Sequence, residues 1–213
     1  MTDLRNILSQ RKASDEIARL DREGELDRLF PELAECRDVE QPRYHHLDVR
    51  GHSVLAAQEL DGVLILNRGL EFTDTQRFLM RFAALIHDVA KPRTAEFDER
   101  RRRTMFKRHD KAGAEMAESI CRRFGLTEQE TEAVIILVKM HMRVHHMATM
   151  HDQGTLTKRA TRKFLRDAGD NLEMLLMLGQ ADGRAARGEL KPKNSGLAVD
   201  LNLQDYLFDF MEG

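Results

Sequence analysis

The sequence follows a helical period over almost its whole length. Met, Leu, Ala, Glu and Arg dominate, the alternation of apolar and polar residues that is typical of strands is almost absent, and there are only four prolines. Residues of these types favour helices, and apolar positions recurring every three or four residues give each helix one face to bury. With 213 residues, of which 41% are apolar, the chain is predicted to be all-α, with a short helical lead-in (1–40) and a single compact domain (41–213).

The spacing of apolar residues and the capping residues predict the limits of the helices. Short helices are expected at 3–12, 14–22 and 25–30, and longer ones at 51–67, from 73 to about 91, at 109–124, from 127 onward, at 157–168 and at 170–188. Thr73 with Gln76, and Thr127 with Glu130, each have the spacing of a capping box. A loop rich in His and Met is expected at 145–151.

The helix that starts at Thr73 ends in a group of polar residues. Its last segment reads Leu85-Ile86-His87-Asp88-Val89-Ala90-Lys91-Pro92, and the proline is predicted to stop the helix just after the lysine. A neutral imidazole and an adjacent carboxylate at the edge of a buried face can bind a divalent cation that polarises a water molecule. A hydrogen bond at the helix end or a solvated pair is the alternative for an isolated His-Asp dipeptide.

Other ligand-type residues occupy positions that helices would bury. Asp182 continues the apolar stripe of the helix at 170–188, where a leucine would be expected, and His141 continues the stripe of an earlier helix. His52 and His109 stand in the first turns of their helices. An unpaired carboxylate on a buried face costs on the order of several kcal/mol. Asp182 is therefore predicted to form an ion pair or to bind a metal, and a hydrogen-bonded core histidine is the alternative for His141.

The order of these residues resembles the HD superfamily of metal-dependent phosphohydrolases, whose signature is His, His-Asp and Asp on separate helices. A closer resemblance is to the HD domain of some bacterial tRNA nucleotidyltransferases, the CCA-adding enzymes. The similar segments are 29–33, 45–49, 51–53, 84–92, 106–113 and 181–182. The resemblance implies an HD-domain helical bundle. No Gly-Ser-rich segment with paired aspartates, as in the nucleotidyl-transfer head of those enzymes, precedes residue 25, so a free-standing HD phosphohydrolase is expected rather than nucleotide addition.

The resemblance also implies a metal centre with one or two divalent ions. The ligands expected for the first ion are His52, His87, Asp88 and Asp182. Two-metal members of the superfamily have two further histidines before the last Asp, so a second ion is expected at His109 and His141, with Asp88 as a bridging ligand. Nitrogen and oxygen ligands without thiolate suit Mn²⁺, Fe²⁺, Ni²⁺, Co²⁺, Zn²⁺ or Mg²⁺.

The reaction implied by the resemblance is hydrolysis of a phosphoester by metal-activated water, with Asp88 and Lys91 as the catalytic residues. Lys91 is the first candidate for a phosphate contact, although the helix dipole also favours a lysine near a helix C-terminus. Further candidates for substrate binding, for which a solvated surface is the alternative, are Arg143, Arg184 and Arg187. The expected substrate is a nucleotide, another phosphorylated small molecule or an RNA end, and the hydrolysed group is a phosphomonoester or a 2′,3′-cyclic phosphodiester. The Gly-Tyr-Pro signature of the branch that acts on signalling dinucleotides is missing.

Two alternatives to hydrolysis stay open. Residues 92–108 predict a mobile basic loop with a short hairpin near Met105 and Phe106, and the positive charge of 100–108 can attract RNA. A charge run is usually a solvated face, and Phe97 and Phe106 are too few aromatic residues to predict base stacking. A non-catalytic RNA-binding module is therefore one alternative. Di-iron oxygenase chemistry is the other, because the order of the six ligands also resembles di-iron oxygenases of the same superfamily.

Charge and hydropathy predict a cytoplasmic protein without membrane contact. The net charge is −2, no N-terminal signal pattern is present, and no apolar run approaches the roughly 20 residues that a membrane helix needs. Cys36 and Cys121 lie far apart and match no metal or redox spacing, so both are predicted to be reduced and structural. The sequence does not predict an oligomeric state.

Overall fold

The computed structural model describes residues 3–41, 45–186 and 197–212, with only the backbone for 197–200. The chain is folded almost entirely into helices, and the predicted all-α class is confirmed. The helices are α1 (Leu4–Ser9), α2 (Ser14–Arg22), α3 (Glu25–Leu29), α4 (Pro31–Ala34), α5 (Val49–Leu66), α6 (Asp74–Ile86), α7 (His109–Arg123), α8 (Glu128–Asp152), α9 (Lys158–Ala168), α10 (Leu172–Ala185) and α11 (Leu197–Glu212). The strands β1 (Ala95–Asp98) and β2 (Arg103–Phe106) pair antiparallel between α6 and α7.

Helix α10 lies at the centre of the bundle. It packs against α5, α6, α8 and α11, and nearly all of its side chains are buried. Leu175 and Leu178 are fully buried, and burial of a leucine side chain contributes about 1.5–3 kcal/mol. Because neighbours surround α10, the carboxylate of Asp182 near its C-terminus also lies inside the protein.

The two long helices α6 and α8 begin as predicted. The hydroxyl of Thr73 accepts a hydrogen bond from the backbone nitrogen of Gln76, and that of Thr127 accepts one from Glu130, both at 3.2 Å. In each case the side chain of the third residue accepts a bond in return, which completes the capping box.

Helix α8 continues without interruption to Asp152, so the predicted loop at 145–151 is wrong. Beyond His141, the helical spacing of buried residues is maintained by Val144 and Ala148. The apolar stripe therefore continues through 145–151, and this segment belongs to the same helix despite its many histidines and methionines.

Helix α6 ends at Ile86, so the predicted end at Lys91 is wrong by more than one turn. His87 is the C-cap residue, and its ring nitrogen Nδ1 donates to the carbonyl oxygen of Ala84 at 2.8 Å. The side chain thus satisfies one of the backbone carbonyl groups that are left without an amide donor at the helix end. Beyond His87, the chain continues through turns to a short 3-10 segment, Pro92–Thr94.

The N-terminal helices and α11 join the same apolar core. Leu8, Ile17 and Phe30 belong to the contiguous cluster that also contains Leu203 and Leu207 of α11. Helix α11 was not predicted, and the separation of 1–40 from 41–213 stays a prediction. Within the described ranges, no helix is both long enough and apolar enough to cross a membrane.

The two cysteines are free and buried, as expected for structural thiols. Burial raises the pKa of Cys36 and of Cys121 to about 12. Both side chains are therefore kept as neutral thiols at physiological pH.

Candidate metal centre

Side chains from five parts of the chain meet in one buried histidine–aspartate cluster. Its members are His52 on α5, His87 and Asp88 in the turn after α6, His109 at the start of α7, His141 on α8 and Asp182 on α10. None of the six residues is more than 7% exposed. All six metal ligands expected from the sequence are thus brought together, although they are spread over 130 positions of the chain.

One half of the cluster surrounds the first expected metal position. Nε2 of His52 lies 2.8 Å from Oδ1 of Asp182, and Nε2 of His87 lies 3.2 Å from Oδ2 of Asp88. The cross distances are 3.8 Å from His87 to Asp182 and 3.9 Å from His52 to Asp88. Atoms bound to one cation at about 2.0–2.2 Å lie roughly 3 Å apart when they are neighbours and up to roughly 4 Å apart when they are on opposite sides, so these spacings suit a shared divalent ion.

The other half of the cluster is formed by Asp88, His109 and His141. Oδ1 of Asp88 lies 3.3 Å from Nε2 of His109 and 3.6 Å from Nε2 of His141, and the two imidazole nitrogens are 3.2 Å apart. Because Oδ2 of Asp88 faces His87 while Oδ1 faces this pair, the carboxylate connects the two halves. This arrangement has the form of a bridging ligand.

Backbone carbonyl groups fix the orientation of three of the rings. Nδ1 of His87, His109 and His141 lies 2.7–2.8 Å from the carbonyl oxygens of residues 84, 106 and 138, respectively. A carbonyl oxygen only accepts hydrogen bonds, so Nδ1 carries the hydrogen and donates it. In the neutral ring, this leaves the lone pair of Nε2 directed into the cluster, as metal-binding histidines require.

Three buried atoms of the cluster residues have no hydrogen-bond partner among the described residues: Nδ1 of His52, Nε2 of His87 and Oδ1 of Asp88. The last two face other ligand-type side chains of the cluster. A buried polar atom without a partner costs about 1–3 kcal/mol. Nε2 of His87 faces the first expected metal position, and Oδ1 of Asp88 faces His109 and His141, so a divalent cation in each half would satisfy one of these two atoms.

The charges in the cluster shift the pKa values of its members in opposite directions. Burial alone would lower the pKa of His87, but the neighbouring Asp88 carboxylate outweighs it and raises that pKa. Burial alone would raise the pKa of Asp88 and of Asp182, but the surrounding imidazoles, with Lys91 beside Asp88, hold both well below their ordinary value. Both carboxylates are therefore ionised at neutral pH, and a bound cation competes with a proton for His87.

Lys91 lies directly beside the cluster. Its Nζ donates to Oδ2 of Asp88 at 2.5 Å and to Oε1 of Gln41 at 2.6 Å, and the residue is 7% exposed. The ammonium also lies 5.7 Å from the centre of the Phe106 ring. Lys91 thus places a positive charge in direct contact with Asp88, and its catalytic and phosphate-binding roles stay predictions.

The arginines proposed for substrate binding are engaged elsewhere or lie outside the described residues. Arg143 pairs with Asp167 through Nη1 at 2.7 Å. Arg184 pairs with Glu59 through Nε at 2.6 Å. Arg187 lies outside the described residues, and for all three the substrate-binding role stays a prediction.

Two further histidines border the cluster, and the sequence analysis did not assign them to the site. Nε2 of His145 lies 2.8 Å from Oδ2 of Asp182. The ring of His45 packs edge-on to His52 with 4.6 Å between centroids, and burial lowers the pKa of His45 to about 4. His145 follows His141 by one helical turn, and this spacing would have placed both rings on the same side of a helix. The prediction of a loop at 145–151 prevented this conclusion.

A glycine controls how closely α10 approaches α8. A Cβ atom on Gly179 would lie 2.6 Å from Cγ1 of Val144, closer than real Cβ contacts allow. Val144 sits between His141 and His145 on α8, and Asp182 follows Gly179 by about one turn. The bare backbone of Gly179 therefore allows α10 to bring its carboxylate to the two histidines.

Comparison with known proteins gives a consistent result. The family model "HD domain" matches residues 43–206. The chain is 34% identical over 186 residues to the A-adding tRNA nucleotidyltransferase of Deinococcus radiodurans and 31% identical over 186 residues to the CC-adding enzyme of Thermus thermophilus. Each alignment covers 87% of this chain and 39% of the relative. A bifunctional uridylyltransferase/uridylyl-removing enzyme of Azospirillum brasilense is 29% identical over 191 residues, covering 84% of this chain and 19% of the relative.

Proposed function

The chain belongs to the HD domain family, whose members are in general metal-dependent hydrolases, and we propose that it hydrolyses phosphoesters of nucleotides or RNA ends. The observation that carries this proposal is the convergence of six buried His and Asp side chains, in which Nε2 of His87 and Oδ1 of Asp88 have no hydrogen-bond partner in the described parts of the chain. The substrate would be a phosphomonoester or a 2′,3′-cyclic phosphodiester. No protein nucleophile is required.

A divalent metal ion in this cluster would lower the pKa of a water molecule and offset charge on the phosphoryl oxygens. The protein holds the ligands in place through the carbonyl groups that accept from Nδ1 of His87, His109 and His141. Asp88 connects the two halves of the cluster, and the ammonium of Lys91 attracts the phosphate beside it. His145, in contact with Asp182, keeps that carboxylate oriented toward His52.

The names of the relatives support a nucleotide or RNA end as the substrate. Two of them are named as tRNA nucleotidyltransferases, and the third is named for both transfer and removal of uridylyl groups. The chain spans less than half of each of these proteins. The likeness therefore concerns the HD region, and the nucleotide specificity is part of our proposal.

The test is a metal-dependent screen of nucleotides and 2′,3′-cyclic phosphates, performed with each of the six candidate metals. We expect turnover with wild-type protein and none with Asp88→Asn. The matched control is Asp152→Asn, which makes the same chemical change at an exposed position at the end of α8 and should keep full activity. A protein that binds metal but cleaves none of these substrates would contradict the proposal.

The bridging position of Asp88 also favours a second candidate, oxidative chemistry at two iron ions. Its two oxygens face different groups of histidines, which suits a pair of metals as well as it suits one. Iron content close to two per chain, together with oxygen uptake in the presence of a substrate, would favour this candidate over hydrolysis.

A further inference from the structure

The hairpin formed by β1 and β2 is attached directly to the histidine–aspartate cluster. The backbone carbonyl of Phe106, the last residue of β2, accepts a hydrogen bond from Nδ1 of His109 at 2.7 Å. The Phe106 ring lies over Nζ of Lys91, which in turn contacts Asp88. One end of the hairpin is therefore fixed beside the cluster, and its loop lies at the other end.

The strand register places a second aromatic ring on the same face as Phe106. Ala95 pairs with Phe106, and Phe97 pairs with Thr104. Directly opposed residues share a face of an antiparallel pair, and so do residues two apart in one strand. Phe97 thus lies on the face that contains the Phe106 ring, roughly 7 Å farther from the cluster. Its side chain is 60% exposed.

The hairpin also presents positive charge that its own acidic residues do not neutralise. Arg101 pairs with Asp98, and Lys107 pairs with Glu96. The remaining basic side chains are exposed, and within the described ranges no ion-pair partner lies beside them; they are Arg100, Arg102, Arg103 and Arg108. An exposed aromatic ring among unpaired arginines is the combination that binds single-stranded nucleic acids.

We propose that this hairpin binds a single-stranded oligonucleotide whose terminal phosphate lies at the metal centre. Phe97 stacks on the unpaired base next to that phosphate, and the unpaired arginines contact phosphates farther along the strand. A single strand is favoured because a ring on an open face stacks only on a base that is not paired. The position of the terminal phosphate rests on the proposed function, whereas the binding surface does not require hydrolysis.

The first test measures binding of a fluorescein-labelled single-stranded oligoribonucleotide of about eight residues by fluorescence anisotropy. Phe97→Ala should weaken binding about 5- to 150-fold, the effect of losing one base stack, and Phe97→Tyr should retain it. The control is Ile65→Ala, which removes an apolar side chain of the same 60% exposure on α5 and should leave affinity unchanged. Equal affinity of wild type and Phe97→Ala would overturn the proposal, as would equal binding of a blunt duplex.

The second test uses the salt dependence of the same binding reaction. If Arg100 and Arg103 each neutralise one phosphate, the double variant Arg100→Gln, Arg103→Gln should lower the slope of log K against log salt by about 1.4. The control pair Lys158→Gln, Arg159→Gln removes two exposed charges from α9 and should leave the slope unchanged. A slope that changes only in the α9 pair would overturn the proposal.

These measurements separate this inference from the proposed hydrolysis. Binding is measured with EDTA present, so no turnover is needed. Loss of binding in Phe97→Ala, combined with no hydrolysis of any substrate by wild type, would support the hairpin surface and refute the hydrolase. The opposite result is hydrolysis of nucleotides by wild type, with oligonucleotide binding and turnover unchanged in both hairpin variants. It would support the hydrolase and refute the hairpin surface.

Discussion

Two of the clusters of buried charged side chains in the described ranges are built in opposite ways. In the first, Arg81 on α6 is fully buried and pairs with Asp61 on α5 at 2.7 Å. The Asp61 carboxylate also accepts from the backbone nitrogens of Ala13 and Ser14 at 2.9 Å, and Arg81 donates to the carbonyl oxygen of Leu8 at 2.6 Å. Backbone groups of the N-terminal segment thus close this cluster.

In the histidine–aspartate cluster, backbone carbonyl groups hold the outer side of three of the four rings, and atoms on the inner side are left open. Nε2 of His87 and Oδ1 of Asp88 lack hydrogen-bond partners among the described residues. Around Arg81, by contrast, Nη1, Nη2 and both oxygens of Asp61 are satisfied, and only Nε of Arg81 lacks a partner there. A closed cluster of buried charges needs no further partner, whereas an open one points to a bound ligand.

The largest effect should come from Asp88→Asn, which removes the charge that connects the two halves of the open cluster. Lewis-acid assistance is worth on the order of several kcal/mol, so activity should fall by at least about 10³-fold and bound metal should be lost. Folding stability without metal should also fall, because Lys91 keeps its buried charge and loses the carboxylate that accepts from it. The measurements are kcat/KM, metal content and denaturant unfolding in EDTA, and a metal content equal to that of the wild type would contradict the bridging role of Asp88.

The converse change is Arg81→Leu, which leaves Asp61 buried without its partner. Removing one member of a buried ion pair costs about 3–5 kcal/mol, measured as the free energy of unfolding in denaturant. Metal content per folded molecule should be unchanged. Arg5→Leu is the control, since Arg5 pairs with Glu130 at the surface and should cost at most about 1 kcal/mol. Similar losses in both variants would show that burial of the Arg81 pair contributes nothing.

The third prediction concerns the pH dependence of folding stability and tests whether His45, which packs on His52, is buried at the edge of the open cluster. Burial lowers the pKa of His45 in the folded protein to about 4, from an ordinary 6.5. Between these values the unfolded chain binds more protons, so folding stability should rise with pH from about 4 to 6.5, by up to about 3 kcal/mol. His45→Gln should flatten this part of the curve in EDTA-treated protein. An unchanged slope would place His45 in contact with water.

The smallest expected effect concerns the packing that brings α10 to the open cluster. Gly179→Ala forces a methyl group against Val144, and such overpacking costs about 1–3 kcal/mol. The carboxylate of Asp182 should move away from His141 and His145, which weakens metal binding as measured by titration calorimetry. Adding Val144→Ala should restore most of the affinity. Failure of this second change to rescue binding would show that the close helix contact does not position Asp182.

Local features of the fold could be predicted from the sequence. The capping boxes at Thr73 and Thr127 depend on residues three positions apart, and both are present. The ring orientation of His87 could not be predicted, because it depends on a carbonyl released at the helix end. The prediction of a loop at 145–151 was wrong because the residue types were given more weight than the stripe of buried residues. For the same reason, the contact of His145 with Asp182 was not predicted.

Long-range partners were the other part that the sequence could not provide. Arg81 lies within an apolar run, and nothing in its surroundings indicates Asp61, which is 20 residues away. The pairing of Arg143 with Asp167 and of Arg184 with Glu59 depends likewise on how helices pack. The six candidate ligands could be singled out by their positions on the predicted helices, but their assignment to two metal ions rested on the resemblance.

The most direct test of the central claim is anomalous X-ray diffraction from crystals grown with Mn²⁺. The account predicts a strong anomalous peak within bonding distance of Nε2 of His87 and the carboxylates of Asp88 and Asp182, and a second metal would lie beside His109 and His141. Well-ordered density for these side chains without an anomalous peak among them, at millimolar Mn²⁺ and neutral pH, would contradict it.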